Sequence, residues 1–153
     1  MSKMEEMAQF IEANTQMFAY TIQNTPADKI VWKAKAEGQT AEGRDILDMA
    51  QECIGLNAKF TACFSGQTME PPTVTPENVV ELLIASGKLT ADVVRVLTPE
   101  QLETKYDLGW AQLTGDFMVR ILFMHPAYHN GQANFIQTLY GDTEFYMPPG
   151  FLD

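Results

Sequence analysis

The chain has 153 residues, 46% of them hydrophobic, and sets 10 Lys and Arg against 20 Asp and Glu for a net charge of -10. A chain of that length suits one domain that buries about 70% of its unfolded surface, so it needs no staple in order to fold. Its acidic balance repels phosphate backbones and anionic lipid surfaces, which excludes nucleic-acid binding from the expected functions.

The opening residues, Met1-Ser2-Lys3-Met4-Glu5-Glu6, lack the apolar core and cleavage pattern of a secretory signal. Glu81 and Arg120 break the longest apolar runs well short of the ~18 residues of a membrane span. The expectation is a cytoplasmic chain with no membrane partner. From about Ser2 to Gln23, Met4, Met7, Ala8, Ile11, Phe18 and Ile22 recur at three- and four-residue spacing and predict a first long helix. Thr25-Pro26-Ala27-Asp28 then pairs a capping residue with a proline at the first helical position, predicting one short turn. A connector holding Trp32 follows, to near Gly43.

A second helix is predicted from about Glu42 to Phe64, with Ile46, Ala50, Cys53, Asn57, Phe60 and Phe64 as its stripe and Gly66 as its stop. If Cys53 and Cys63 share this helix they lie ~15 Å apart along its axis, too far to bridge each other. Two reduced thiols fit a reducing compartment. Thr75-Pro76-Glu77 opens a third helix carrying Val79, Val80, Leu83, Leu89, Val94 and Leu97, and Ser86-Gly87 is expected to weaken or bend it. Thr98-Pro99-Glu100-Gln101 reads as a capping box for a single turn. After a connector with Tyr106, Asp107, Gly109 and Trp110, a fourth helix is expected from near Thr114 to about Tyr140, stopped by Gly141. The tail 143–153 is too apolar to hang free and is expected to pack on the bundle or on a second subunit. No strand-like alternation between hairpin turns is evident. The expected fold is all-α, a single four-helix bundle over 1–153 with long connectors.

The chemistry concentrates in His125-Pro126-Ala127-Tyr128-His129-Asn130-Gly131-Gln132. On a helical wheel Met118, Ile121, His125, His129, Gln132 and Ile136 fall within about 40° of one line, so both histidines face the core. They are one turn apart, with Cβ atoms ~5–6 Å from each other, which lets two imidazoles converge on one ion. They are the chain's only 2 histidines, so no third imidazole can complete the set. Without a metal, core histidines hydrogen-bonded to Asn57, Gln132 or water would account for the pair. Pro126 removes a backbone donor inside this helix and pushes on the carbonyl of Leu122, predicting a kink or bulge that re-aims nearby side chains. A third ligand is expected from the second helix. Cys53 is central there, and a thiolate binds zinc strongly. Glu52 lies about 100° away on a flank, either as a solvated surface acid or reaching inward. Asn57, Tyr128 and Gln132 are expected to support the ligands by hydrogen bonds.

The His125-x-x-x-His129-x-Gly131-Gln132 pattern, followed by an apolar stretch and Leu139-Tyr140-Gly141-Asp142, resembles the fourth helix of DinB/YfiT-like proteins. Thr25-Pro26-Ala27-Asp28 through Trp32 looks like that family's connector after its first helix, and Arg44-Asp45-Ile46-Leu47 leading to Asn57 looks like its second helix. The resemblance implies one divalent metal, zinc first and nickel or iron as alternatives, held by three side chains. His125 and His129 match two histidines of the family's usual three. The remaining position falls on Glu52 when the second helices are aligned through Asn57, a carboxylate where a histidine is usual. Two His and one carboxylate with open positions suit zinc hydrolases and non-haem iron sites. The resemblance further implies a metal-dependent hydrolase or thiol-S-transferase acting on a small molecule; a homodimer is also expected, on the strength of the apolar tail alone. The alternative is a non-catalytic stress-response or interaction module with a structural or degenerate metal site.

Overall fold

The computed structural model of the chain describes residues 1–35, 37–38 and 43–151. Helix α1 spans Lys3–Gln23, with the Ser2 hydroxyl accepting from the Glu5 amide as N-cap. A four-residue α2, Ala27–Ile30, follows Pro26. Helix α3 spans Ile46–Ser65 and starts at a capping box: Asp45 accepts from the Asp48 amide while the Asp48 carboxylate accepts from the Asp45 amide. That box overrides the start expected near Glu42, a residue that lies outside those described. The left-handed conformation of Gly66 (φ 70°) ends α3, where the missing Cβ costs nothing.

Helix α4, Val79–Arg95, begins later than Thr75-Pro76 suggests. Residues 76–78 form a turn instead, in which Asn78 Oδ1 accepts from the Thr75 amide at 2.8 Å. Helix α4 runs unbroken through Ser86-Gly87. Gly87 is a contact point: a Cβ there would lie 2.6 Å from Thr15 Cγ2 and 2.7 Å from Thr15 Cβ, so its bare backbone lets α4 approach α1. The capping box of α5, Pro99–Glu103, forms as expected between Thr98 and Gln101.

The connector after α5 holds a small hairpin that the sequence reading did not anticipate. Strand β1, Lys105–Asp107, pairs antiparallel with β2, Gln112–Thr114, with Tyr106 opposite Leu113. Three residues per strand are too few for alternation to show as a pattern. The turn is held instead by the Asp107 carboxylate accepting from the Gly109 amide at 2.8 Å, with Gly109 at φ 83°. Helix α6 then runs Gly115–Leu139 from its Thr114 N-cap. It continues as α-helix through Pro126, so the expected bulge is absent. Asn14 Nδ2 donates to the Phe123 carbonyl at 2.9 Å, which satisfies one acceptor in the turn that the proline disturbs.

The fold is all-α apart from the hairpin. Helices α1 and α3 each pack against both α4 and α6, the arrangement of a bundle with α1 and α3 on one diagonal. Its interior divides into two apolar clusters. One gathers Phe18, Ile22, Ile46, Ile54, Leu83 and Ile136. The other gathers Ile11, Phe60, Ala91, Val94, Met118 and Leu122. Each long helix passes from one cluster to the other across a polar or small position: Thr15 in α1, Asn57 in α3, Gly87 in α4 and His129 in α6. The histidines therefore stand at a polar waist between two hydrophobic halves. Each half anchors the helices around it, at roughly 1.5–3 kcal/mol for every large apolar side chain it buries. Among the described residues no helix is long and apolar enough to cross a membrane. Cys53 and Cys63 are both free.

Candidate metal centre

Helix α6 presents His125 and His129 one turn apart on the side facing α3. Their rings are 4.4 Å apart between centroids and tilted by 84°, with Nε2 of each 3.1 Å from Nε2 of the other. His129 is almost fully enclosed, and the His125 side chain is 18% exposed. Burial lowers the pKa of both rings, by more than the nearby Glu52 carboxylate raises it, so the neutral form is favoured in each.

The tautomer of His129 is set by a partner. Gln132 Nε2 donates to the Tyr128 hydroxyl at 2.9 Å, which turns Gln132 Oε1 toward His129. His129 Nδ1–H donates to that oxygen at 2.6 Å, leaving the Nε2 lone pair aimed at His125 and Glu52. Two of the expected supporting residues, Tyr128 and Gln132, thus do orient a histidine. Asn57 does not: its Nδ2 donates to the Ser86 hydroxyl at 3.2 Å, across to α4. One helical turn separates it from Cys53, and its amide is engaged by α4 instead.

Two side chains of α3 approach the histidines from different directions. Cys53 Sγ lies 3.5 Å from His125 Nδ1. Cys53, His125 and His129 offer donor atoms all within 4.8 Å of one another, so this group could hold a metal ion. Burial pushes the Cys53 thiol well up, and the Glu52 charge pushes it the same way, so in the absence of an ion Cys53 is a neutral thiol. Glu52 instead meets the opposite nitrogen. Its Oε1 is 3.3 Å from His125 Nε2 and 3.8 Å from His129 Nε2. Its Oε2 pairs with the guanidinium of Arg44. Burial raises the Glu52 carboxyl, but the Arg44 hydrogen bond and charge, and then the histidines, outweigh it and hold the group below its ordinary value.

Glu52 therefore answers to both descriptions that the sequence left open. It sits on the flank of α3 with its side chain 45% exposed, and its inner oxygen reaches both imidazoles. A donor set can be tested by whether one point serves all its atoms. The separations 3.1, 3.3 and 3.8 Å among Glu52 Oε1 and the two Nε2 atoms define a triangle. Its centre lies about 2.0 Å from every corner, against the ~2.0–2.2 Å of zinc–nitrogen and zinc–oxygen bonds. All three atoms carry free lone pairs when the rings are neutral and the carboxylate is ionised. A divalent ion fits this set in size and in charge.

Nothing in the sequence pointed to Arg44 as part of the site. Its signal is visible only afterwards: Arg44 precedes the Asp45 N-cap and lies two turns before Glu52. No protein-family model matches the chain, and a search of curated proteins finds no match either.

Proposed function

We propose that this protein binds one divalent metal through Glu52, His125 and His129, zinc first, and uses the open positions for metal-dependent hydrolysis or thiol transfer on a small molecule. The observation that carries this reading is the common centre, about 2.0 Å from one carboxylate oxygen and two imidazole nitrogens whose rings burial keeps neutral. The pattern around His125 and His129, which resembles DinB/YfiT-like proteins, supports the same donor positions. A divalent ion held there would supply Lewis-acid chemistry, lowering the pKa of a water or thiol so that it becomes a nucleophile near neutral pH.

The chain's own residues have defined parts in this reading. Arg44 holds Glu52 Oε2 and so turns Oε1 inward. Gln132 keeps the proton on His129 Nδ1 and frees Nε2. Cys53, a neutral thiol against His125 Nδ1, accepts from that nitrogen when Nε2 is the ligand. Glu52 and the exposed edge of His125 face solvent, which leaves an approach for a substrate.

A second reading has its own support. Cys53, His125, Glu52, His129 and Gln132 also form a continuous set of polar contacts that could be satisfied with no ion. In that case the site is a structural polar network in a non-catalytic module. Calorimetric titration of metal-free, untagged protein with zinc separates the two. The proposal expects one ion per chain, abolished in His125→Ala; a wild type that binds no zinc, nickel or iron favours the module.

A further inference from the structure

A groove of about 490 Å³ opens beside the donor set, between the C-terminal half of α6 and the start of α3. Small-molecule sites usually run to ~300–1,000 Å³, so its size suits one. Tyr128, Gly131, Phe135 and Leu139 line it from α6. Their three- and four-residue spacing makes one stripe ~16 Å long. Tyr128 is 62% exposed, Phe135 63% and Leu139 49%, so three large side chains turn apolar surface into the same groove. Gly131 is its low point. A Cβ there would meet nothing within 4 Å, so no neighbour in the chain requires the bare backbone. Glycine weakens a helix interior, and its effect here is to keep the groove open between Tyr128 and Phe135.

The polar end of the groove is built from residues that support the metal ligands. Tyr128 packs on His129 with ring centroids 5.2 Å apart, and Gln132 accepts from His129 Nδ1. Among the described residues, Arg44 is the one charge in the lining. Both contacts that hold it, to Glu52 Oε2 and to the Asp48 carbonyl, use Nη2. Nη1 is left as a donor for an anion, and charge-assisted hydrogen bonds to a carboxylate are among the strong ones.

We propose that this groove binds apolar carboxylates. An acyl or aryl body lies along the stripe from Tyr128 to Leu139, and its carboxylate meets Arg44 beside the donor set. That such a ligand is a product of the site rests on the metal-dependent reading above; the binding itself rests on the groove. Charge selects the class. The chain sets 20 acidic residues against 10 basic ones, yet the charge in this lining is positive. A cationic amphiphile finds no acid there, and a neutral one leaves Arg44 without an added partner. Hydrolysis of an apolar acyl ester releases such a ligand: the ester and one water give the carboxylate, an alcohol and a proton. The groove thus favours hydrolysis over thiol transfer.

Titration of metal-free, isotope-labelled protein with octanoate, followed by NMR, tests it. The Gly131 amide and the Arg44 Nε–H should shift together and saturate. Hexanoate should bind more weakly by about 4-fold for each methylene withdrawn. The alcohol 1-octanol should bind about 10-fold more weakly than octanoate, for want of the charged hydrogen bond. In Arg44→Gln the acid and the alcohol should bind equally, a change of preference that a merely structural role would not produce. Gly131→Leu fills the groove and should abolish octanoate binding while zinc titrates as in the wild type; leucine is the better helix former, so the variant should fold. Phe10→Ala, at an exposed apolar position on α1 outside the groove, should bind octanoate as the wild type does. The two readings fail separately. A protein that binds octanoate and no zinc keeps the groove and loses the metal. One that binds zinc but shows no saturable shift at Gly131 overturns this inference, as do equal affinities for octanoate and 1-octanol in the wild type or intact octanoate binding in Gly131→Leu.

Discussion

Exchanging Glu52 for glutamine and for histidine separates a ligand from a surface acid. Glu52 Oε1 lies 3.3 Å from His125 Nε2 and 3.8 Å from His129 Nε2, while Oε2 is held by Arg44. Glu52→Gln keeps the shape and removes the anionic donor. Even changes to groups that only support a ligand lose ~10–100-fold in metal affinity, so a loss of ~10-fold or more, about 1.4 kcal/mol, is the minimum expected. Glu52→His supplies a third imidazole from the same flank and should retain or tighten zinc binding. Neither change should disturb the fold. The side chain is 45% exposed and its ion pair with Arg44 is screened by solvent, so stability should move by less than ~0.5 kcal/mol. The assay is calorimetric zinc titration of metal-free protein, with thermal unfolding of the same samples as control. Equal zinc affinity in wild type and both variants would return Glu52 to the surface and leave Cys53 as the third donor. A matching loss in Cys53→Ser would then identify it.

Three further outcomes follow from the geometry. Gln132→Leu removes the acceptor that holds the proton on His129 Nδ1, and zinc affinity should fall ~10–100-fold in titration while helicity is unchanged. Gly87→Ala would ordinarily favour a helix by ~1 kcal/mol, but its Cβ would lie 2.6–2.7 Å from three atoms of Thr15; denaturant unfolding should show a net loss of ~1–3 kcal/mol, relieved in the Thr15→Gly/Gly87→Ala double variant. Burial raises the Asp48 carboxyl, but hydrogen bonds from Lys33 and the Asp45 amide outweigh it, so its folded pKa lies below its unfolded one. Its contribution is then complete above the unfolded pKa near 3.8 and fades as pH falls through the folded value; acid unfolding of Asp48→Asn should be shallower in that window, and identical acid profiles would contradict this reading.

Several features were legible from local chemistry alone. Ser2, Gly66, the Thr98/Gln101 box and the Thr114 start are local capping events, and a cap needs only the residues beside it; at α2 the cap expected of Thr25 does not form, since its hydroxyl donates to the Thr21 carbonyl and Pro26 takes the N-cap position. The buried face of α6 was legible for a similar reason: period 3.6 places His125 and His129 together whatever else the chain does. The packing role of Gly87 was not legible, because it depends on another helix, here α1 at Thr15, that needs its bare backbone. The hairpin at 105–114 was missed because strands of three residues are recognised by their partner and not by their own pattern.

The site divides along the same line. Two imidazoles one turn apart on a core face are a property of the sequence, because a single helix carries both. The residue that meets them is a property of the fold, because it depends on how α3 is rotated against α6. On a wheel Cys53 is central and Glu52 lies to the side, and either could have faced the histidines. The packing turns α3 so that Cys53 reaches His125 Nδ1 from within the core, and the carboxylate of Glu52 reaches both Nε2 atoms from the rim, where Arg44 holds its other oxygen. Helical periodicity acts within one element and so determined the histidine pair; the rotation of one helix against another minimises exposed apolar surface over the whole bundle, and only the tertiary structure could decide it.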